Sequence, residues 1–363
     1  MKKYIPRPAL ASFLILSLSY LVLRLCNASY AFADFINNTV SFAIRYVMAW
    51  VSYPFTASLF ELLVIVSPVL LVLLVGVCVR RGRNRVERVR TLLALMGVIS
   101  LLATGYIYTL AVGYHTTPVA DRIGIEDRED ITAEELYETV SIVIDEINLL
   151  ADSIAFTDGE TRMTYSVDEL SERLVSAYDV MLSRYPILTN YTSRVKPIRA
   201  SSVMSDFGIM GIYTFFTGEA NVNVEYPDYT VPVTAAHEMA HQRGVLRENE
   251  ASFVAFLVCI SAEDEYVRYS GYLNLYEYLA SALYRADRDL YFTARDGLSE
   301  RALDDMRAAS AVYQQHKDSP LGKLNDRIND LYLKANGTDG VVSYGYVVRL
   351  AVSYYKSEQG SLD

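Results

Sequence analysis

Three long runs without charged residues dominate the first 114 residues and limit what this part of the chain can form. They cover residues 8–23, the eighteen residues 62–79 and the twenty-four residues 91–114. A helix needs roughly 20 apolar residues to cross the hydrocarbon core of a bilayer. The sequence therefore predicts three spanning helices at about 8–27, 58–79 and 91–114, with residues before 62 lengthening the second.

Basic residues predict how these helices are oriented. Six arginines lie between the second and third runs, at Arg80, Arg81, Arg83, Arg85, Arg88 and Arg90. Cytoplasmic loops are enriched in Lys and Arg, and Lys2, Lys3 and Arg7 precede the first run. We therefore expect a multi-pass protein of the cytoplasmic membrane, with the lipid bilayer as a partner and residues 115–363 outside the cytoplasm.

Charge and cysteine content exclude several classes of function. Residues 1–114 carry 11 of the 33 basic residues and 3 of the 43 acidic ones, which leaves 22 basic and 40 acidic residues in 115–363. That excess of acids repels phosphates and argues against a nucleic-acid partner. The three scattered cysteines, Cys26, Cys78 and Cys259, argue against a disulfide framework.

Residues 30–55 are apolar but interrupted by polar side chains. Their apolar residues recur at helical spacing, at Ile36, Val40, Ile44, Val47 and Val51. The pattern fits an amphipathic helix on the outer membrane face and equally a helix partly buried beneath the soluble domain. Alternatively, Ala31-Phe32-Ala33 resembles a signal-peptide cleavage site, which leaves the predicted orientation unchanged.

Residues 115–363 predict a mostly helical α+β domain with a small sheet. A capping box at Thr132 and Glu135 starts one amphipathic helix. Alternation around Thr217-Gly218 predicts two short strands, 212–216 and 220–224. The other predicted helices cover 167–184, 231–243, 248–262, 274–285, 300–316, 328–334 and 341–355.

The motif that carries chemistry is His237-Glu238-Met239-Ala240-His241. Residues four apart on a helix differ by about 40° in direction, so both imidazoles project from one face. Two such imidazoles suit a zinc ion, and Glu238 is placed to act as the general base. The sequence therefore predicts zinc as cofactor, with His237 and His241 as ligands and Glu238 as the catalytic residue.

A catalytic zinc site requires a third protein ligand. Gly244 can end the motif helix in a left-handed conformation, and a new helix opens at Arg247-Glu248-Asn249-Glu250. Glu248 shares a face of small residues with Ser252, which favours Glu248 as the third ligand and Ser252 as its neighbour. Glu250 remains the alternative ligand.

The run TAAHEMAHQRGVLRENEASFVAFLVC resembles an uncharacterised bacterial family of membrane-anchored HExxH proteins, a domain of unknown function with zinc-peptidase character. The resemblance extends over nearly the whole chain, through GIMGIYTFFTGEANVNVEYP to LYLKANGTDGVVSYGYVVRL. It implies a zincin-like domain over residues 115–363. Where that family usually has Asn, this chain has Ser252, which weakens the role expected of that residue. The Glu248-x-x-Ala251 pattern also resembles the third-ligand helix of integral-membrane prenyl proteases, in which the first Glu binds zinc.

Other residues are weaker candidates for contacts with substrate. Strand 212–216, which includes Tyr213, could pair with an extended substrate, although an ordinary core hairpin fits equally well. Arg268 and Tyr272 could stabilise an oxyanion. Arg243 and Arg247 are expected to pair with nearby acids.

Two functions from different classes follow from these residues. The leading hypothesis is a zinc-dependent endopeptidase that acts on peptides or proteins outside the membrane. The alternative is a catalytically silent, zinc-stabilised envelope sensor or peptide-binding scaffold. Glu238 favours the enzyme, because a structural zinc site has four protein ligands and needs no base.

Overall fold

The computed structural model describes residues 6–82, 84–335 and 344–359. The chain divides into two compact units. The first comprises Met1–Thr117 and Thr214–Glu219, and the second Pro118–Tyr213 and Ala220–Asp363. The first boundary falls three residues after the predicted one, and the grouping of Thr214–Glu219 with the N-terminal unit was not anticipated from the sequence.

The first unit contains three helices that are long and apolar enough to span a membrane. They are α1 (Arg7–Ala28), α4 (Leu59–Arg81) and α5 (Arg85–Thr109), the last continued by a 3₁₀ turn at Ala111–His115. They agree with the three predicted runs, and α5 begins earlier because its first turn is the arginine-rich segment. The expectation of apolar helices suited to a membrane is confirmed.

Helices α1 and α5 pack closely through small residues. A Cβ placed on Gly97 of α5 would lie 3.0 Å from Cα and 3.2 Å from Cβ of Ala9 in α1. Small residues let apolar helices approach without a gap, which is how helices associate in lipid. In contrast, α4 buries none of its side chains within the described part of the chain.

Between α1 and α4 the chain forms a nearly continuous helical segment. It consists of α2 (Tyr30–Ile36), a π-helical turn (Asn37–Ser41) and α3 (Phe42–Ser52). The Ser29 side chain accepts a hydrogen bond from Phe32 N–H and thereby caps its start. The amphipathic segment predicted over 30–55 is therefore helical for most of its length.

The tip of a β-hairpin, Thr214–Glu219, is part of this first unit. The fully buried Glu219 carboxylate accepts hydrogen bonds from Leu59 N–H and Phe60 N–H, at 3.0 and 2.9 Å. Amides in the first turn of a helix have no acceptor within the helix. A negative charge at this end also interacts favourably with the helix dipole. Gly218, at φ +69°, fits against Met48, since a Cβ there would lie 2.5 Å from the Met48 Cβ.

The second unit is mostly helical around a single hydrophobic core, as expected. Its helices are α6 (Val119–Ile123), α7 (Ala133–Ser153), α8 (Val167–Arg184), α9 (Ser201–Asp206), α10 (Thr230–Arg243), α11 (Glu248–Ile260), α12 (Glu265–Ala286), α13 (Arg288–Arg295), α14 (Glu300–His316), α15 (Pro320–Ala335) and α16 (Tyr344–Gln359). Helix α11 is buried along most of its length and contacts both α10 and α12.

Two small sheets accompany these helices. A two-stranded ribbon pairs β1 (Phe156–Thr157) with β2 (Glu160–Thr161). The other sheet has the order β3-β5-β4, with β3 (Val195–Ile198), β4 (Gly211–Thr214) and β5 (Glu219–Asn223). Strands β3 and β5 are parallel, with Val195 opposite Ala220. Strands β4 and β5 lie one or two residues from their predicted positions.

Several predicted boundaries differ from the structure. Helix α12 begins at Glu265, nine residues before the predicted start, because the Asp264 side chain caps it by accepting a hydrogen bond from Val267 N–H at 3.0 Å. Gly271 then lets this stretch pack on Cys259 of α11. A Cβ on Gly271 would lie 2.4 Å from the Cys259 Cβ. Helix α15 is longer than the predicted 328–334, and the Asn336-Gly337 break lies outside the described residues.

Candidate metal centre

Helix α10 carries the HExxH motif and ends where its sequence predicts. Gly244 adopts the left-handed conformation at φ +101°, which closes the helix without strain at a residue that lacks a Cβ. Val245 N–H then bonds to Ala240 C=O at 3.0 Å. A four-residue turn separates the two helices, and α11 starts at Glu248.

This turn brings two imidazoles and one carboxylate together. The Oε2 atom of Glu248 lies 3.2 Å from His237 Nε2 and 3.4 Å from His241 Nε2. One ligand atom from each residue lies within 4.8 Å of the other two. Ligand atoms bound to zinc at about 2.0–2.2 Å in a tetrahedron stand roughly 3.3–3.5 Å apart. The donor set therefore fits a zinc ion.

Hydrogen bonds at the other ring nitrogens leave both Nε2 atoms for a metal. His241 Nδ1 donates to Val245 C=O at 2.8 Å. His237 Nδ1 lies 3.3 Å from Ser252 Oγ, and that hydroxyl donates to Glu248 C=O at 3.0 Å. Ser252 Oγ can therefore accept the His237 Nδ1 proton. Partners of this kind fix the tautomer and orientation of histidine ligands.

The charges in this cluster are strongly coupled. Partial burial would raise the pKa of the Glu248 carboxyl, but the imidazoles of His241 and His237 hold that pKa well below its usual range. Burial would likewise lower the pKa of His241, yet the Glu248 carboxylate raises it to about 9. The Glu248 oxygen is thus stabilised by a positive charge beside it, which a proton on the imidazole or a bound cation can supply.

Glu238 lies on the same helix and is held by strand β4. Its side chain is buried, with 5% of the residue exposed, and the backbone of Tyr213 hydrogen-bonds its carboxylate. Gly211 packs directly on it, since a Cβ there would lie 2.6 Å from Glu238 Oε1. Burial raises the pKa of Glu238, while the imidazoles of His237 and His241 oppose that rise.

The alternative ligand, Glu250, has other partners. Its buried carboxylate pairs with Arg247 at 2.8 Å and accepts a hydrogen bond from Val119 N–H at 3.2 Å. The group of three donors therefore contains Glu248 and not Glu250. Arg247 pairs with an acid, as expected.

The remaining candidates have contacts of other kinds. Arg268 pairs with Glu265 in its own helix at 3.8 Å, and Tyr272 packs edge-on against Phe256 at 6.0 Å. Within the part of the chain that the structure describes, no contact links either residue to the donors. The ring of Tyr213 is buried, so this residue reaches Glu238 through its backbone.

Arg243 departs from the expectation that it pairs with an acid. Its buried guanidinium lies over the rings of Tyr178 and Tyr191, at 4.4 and 4.9 Å from the centroids. It also donates to Asn190 Oδ1 at 2.7 Å and Tyr191 C=O at 2.8 Å. Stacking on aromatic faces satisfies a buried arginine without a carboxylate.

Sequence reasoning missed Gly211, the Tyr213 amide and the Val245 carbonyl. Each acts through the backbone, so the identity of its side chain gives little signal. Gly211 is the exception, because a glycine at the start of a strand suggests close approach of another group.

Together these features define a class of protein: a mostly helical chain with three helices of membrane-spanning length and a His-His-Glu cluster in its second unit. The chain belongs to the family described as "Protein of unknown function (DUF3810)", which it matches over residues 32–352. Membership in a family of unknown function was expected from the resemblance and is confirmed. No curated protein and no solved structure matches the chain.

Proposed function

We propose that the protein is a membrane-anchored zinc-dependent endopeptidase that hydrolyses peptide bonds of extracytoplasmic substrates. The observation that carries the proposal is the buried Glu238 carboxylate, held by strand β4 beside three converging donors. A cluster with only a structural role would not need a second carboxylate oriented in this way.

The residues of the chain can be assigned separate roles. Zinc held by His237, His241 and Glu248 would supply a Lewis acid that polarises a peptide carbonyl and makes water more acidic. Glu238 accepts a proton as the water oxygen bonds to the carbonyl carbon. It then gives the proton to the peptide nitrogen as the C–N bond breaks. Burial raises its pKa above the ordinary carboxyl value, which makes the carboxylate a stronger proton acceptor.

The surroundings of the cluster support an open metal position. Within the described residues, the group that could hold an ion contains three donors rather than four. The side chains of Glu248 and His237 are 42% and 19% exposed, so solvent reaches two of the three donor residues. An accessible fourth position is what distinguishes a catalytic zinc site from a structural one.

Strand β4 offers a way to orient a peptide. It is at the edge of the sheet, and its residues Gly211 and Tyr213 contact the proposed base. An extended peptide pairing with such an edge gains main-chain hydrogen bonds without dependence on its sequence. A peptide bond would then lie near Glu238.

The decisive experiment compares wild type with Glu238→Gln in two measurements: zinc content of the purified full-length protein and cleavage of a degenerate peptide library. Gln keeps the size of the side chain but cannot accept a proton. We expect zinc content to be unchanged and turnover to fall by about 10²–10⁴-fold, the usual contribution of a general base.

The scaffold hypothesis predicts a different pattern. There, the wild type would bind zinc and peptides yet cleave none, and Glu238→Gln would change neither property. Cleavage at wild-type rate by a zinc-loaded Glu238→Gln protein would remove Glu238 from the mechanism.

A further inference from the structure

The helical segment 30–52, formed by α2, the π turn and α3, buries a mostly small and polar face and exposes a mostly apolar one. Five of its buried side chains recur at every fourth position and are small or polar: Ala33, Asn37, Ser41, Arg45 and Ala49. Ser52 is also buried, and Ile36 is the one large apolar side chain on this face. A helix that packs on a protein core from the aqueous side buries its large apolar side chains instead.

The exposed side of the same segment is apolar and aromatic. Trp50 is 67% exposed, and the other large exposed side chains between residues 30 and 55 are Tyr30, Phe35, Val40, Tyr46, Val47, Val51 and Phe55. Asn38 and Thr39 are exposed as well, so the apolar surface is concentrated at Tyr46, Val47, Trp50 and Val51. Large apolar side chains grouped in this way are unusual on a face in contact with water and mark an interaction site.

The charged residues of this fully described segment are turned inward or paired. Arg45 is 1% exposed, and its Nη2 donates to Asn37 C=O at 3.0 Å. Asp34 accepts hydrogen bonds from Thr117 N–H at 3.0 Å and from its hydroxyl at 2.6 Å. No charged side chain between residues 30 and 55 is exposed. The outer face therefore presents no charge to the surrounding solvent.

The segment adjoins the three candidate spans, which favours lipid as its partner. It connects the end of α1 at Ala28 with the start of α4 at Leu59 and contacts α5 within the same unit. Helix α4, which follows the segment in the chain, likewise buries none of its side chains. A helix in this position meets the same bilayer as its neighbours.

The pattern of basic residues indicates that the segment does not cross the bilayer. If 30–52 spanned, α4 would run in the opposite direction, and the arginines at 80–90 would lie on the opposite side from Lys2 and Lys3. Clusters of basic residues favour one side. Moreover, Trp and Tyr prefer the headgroup level over the middle of the hydrocarbon.

We infer that segment 30–52 lies in the interfacial layer of a single leaflet, on the side where α1 ends and α4 begins. Its Tyr46, Val47, Trp50 and Val51 face enters the acyl-chain region, and its stripe of small and polar residues faces the protein. The partner is therefore a phospholipid surface. This inference depends on membrane association and is independent of the proposed hydrolytic activity.

Trp50 is the only tryptophan of the chain and serves as a native probe. We would reconstitute the full-length protein in phosphatidylcholine vesicles and measure quenching of its tryptophan emission. Lipids brominated near the ester groups, lipids brominated near the chain ends and aqueous iodide would be the quenchers. A Trp50→Phe variant gives the tyrosine background, and Leu71→Trp in that background provides a deep reference, since Leu71 is exposed near the middle of α4.

We expect Trp50 to lose more emission to the shallow bromines than to the deep ones, with the order reversed for the Leu71→Trp reference. Quenching of Trp50 by deep bromines to the extent seen in the reference would mean that the segment spans, and would overturn the inference. Efficient quenching by iodide, or protection from every quencher by a protein partner, would overturn it as well.

Discussion

The substitution Gly211→Ala should separate the proposed base from the proposed metal ligands. A methyl group at this position would lie 2.6 Å from Glu238 Oε1 and 2.7 Å from both Glu238 Cγ and Thr234 Cγ2. Contacts below 3.0 Å force a movement, and β4 must shift or Glu238 must swing by roughly 1 Å. A displacement of that size at a reacting group can cost about 10²-fold in rate. Overpacking typically lowers the free energy of unfolding by about 1–3 kcal/mol. This loss exceeds the roughly 0.4–1 kcal/mol that a Gly→Ala substitution contributes by making the unfolded chain less flexible.

Three measurements on the full-length protein test this prediction: zinc content, thermal unfolding and cleavage of the peptide library. We expect unchanged zinc content, modestly lower stability and a turnover reduced by about two orders of magnitude. Gly345→Ala is the matched control, because a Cβ there meets no atom of the described residues within 4 Å. Wild-type turnover in the Gly211→Ala protein would refute the idea that β4 positions the base. Loss of zinc would show that β4 supports the ligands instead.

Further predictions concern individual carboxylates and one hydroxyl. Glu248→Gln should abolish stoichiometric zinc binding while Glu250→Gln retains it, and elemental analysis showing the reverse pattern would exchange their roles. Ser252→Ala should weaken zinc affinity by about 10- to 100-fold by freeing a histidine ligand, and Ser252→Asn should restore part of it. Competition with a chelator measures the zinc affinity of each variant. Equal affinities in the wild type, Ser252→Ala and Ser252→Asn would contradict a role for Ser252 in orienting His237. Glu219→Gln should destabilise the first unit by about 1–3 kcal/mol, since the partly buried amides of Leu59 and Phe60 lose a charged acceptor. Glu61→Gln, a similar change in the first turn of α4, should cost less in thermal unfolding, and equal costs would indicate a general charge effect.

Features encoded locally could be predicted from the sequence. The spans depend on uninterrupted apolar composition, and the start of α7 is set by the capping box of Thr132 and Glu135, which the structure contains. The approach of His237 to His241 is a property of residues four apart on any helix. These predictions need no knowledge of tertiary contacts.

Features that depend on distant parts of the chain could not be predicted in this way. Strand β3 contains the buried Lys196 and a proline, so its composition does not suggest a strand, and its partner β5 lies more than twenty residues further along. The contact of Gly211 with Glu238 likewise joins a strand to a helix. The helix pattern ranked Glu248 above Glu250, but only the folded turn shows which carboxylate faces the imidazoles.

The cap that Glu219 provides for α4 has a consequence for synthesis of the protein. Leu59 and Glu219 are 160 residues apart, so at about 5–20 residues per second the ribosome makes the helix roughly 8–32 s before its cap. During this interval α4 has Ser58 as its cap but lacks the carboxylate. A nascent chain that stalls before residue 219 would therefore hold an incompletely capped helix, a state that membrane quality control could distinguish from the finished protein. Translation speed through the second unit sets how long that state lasts.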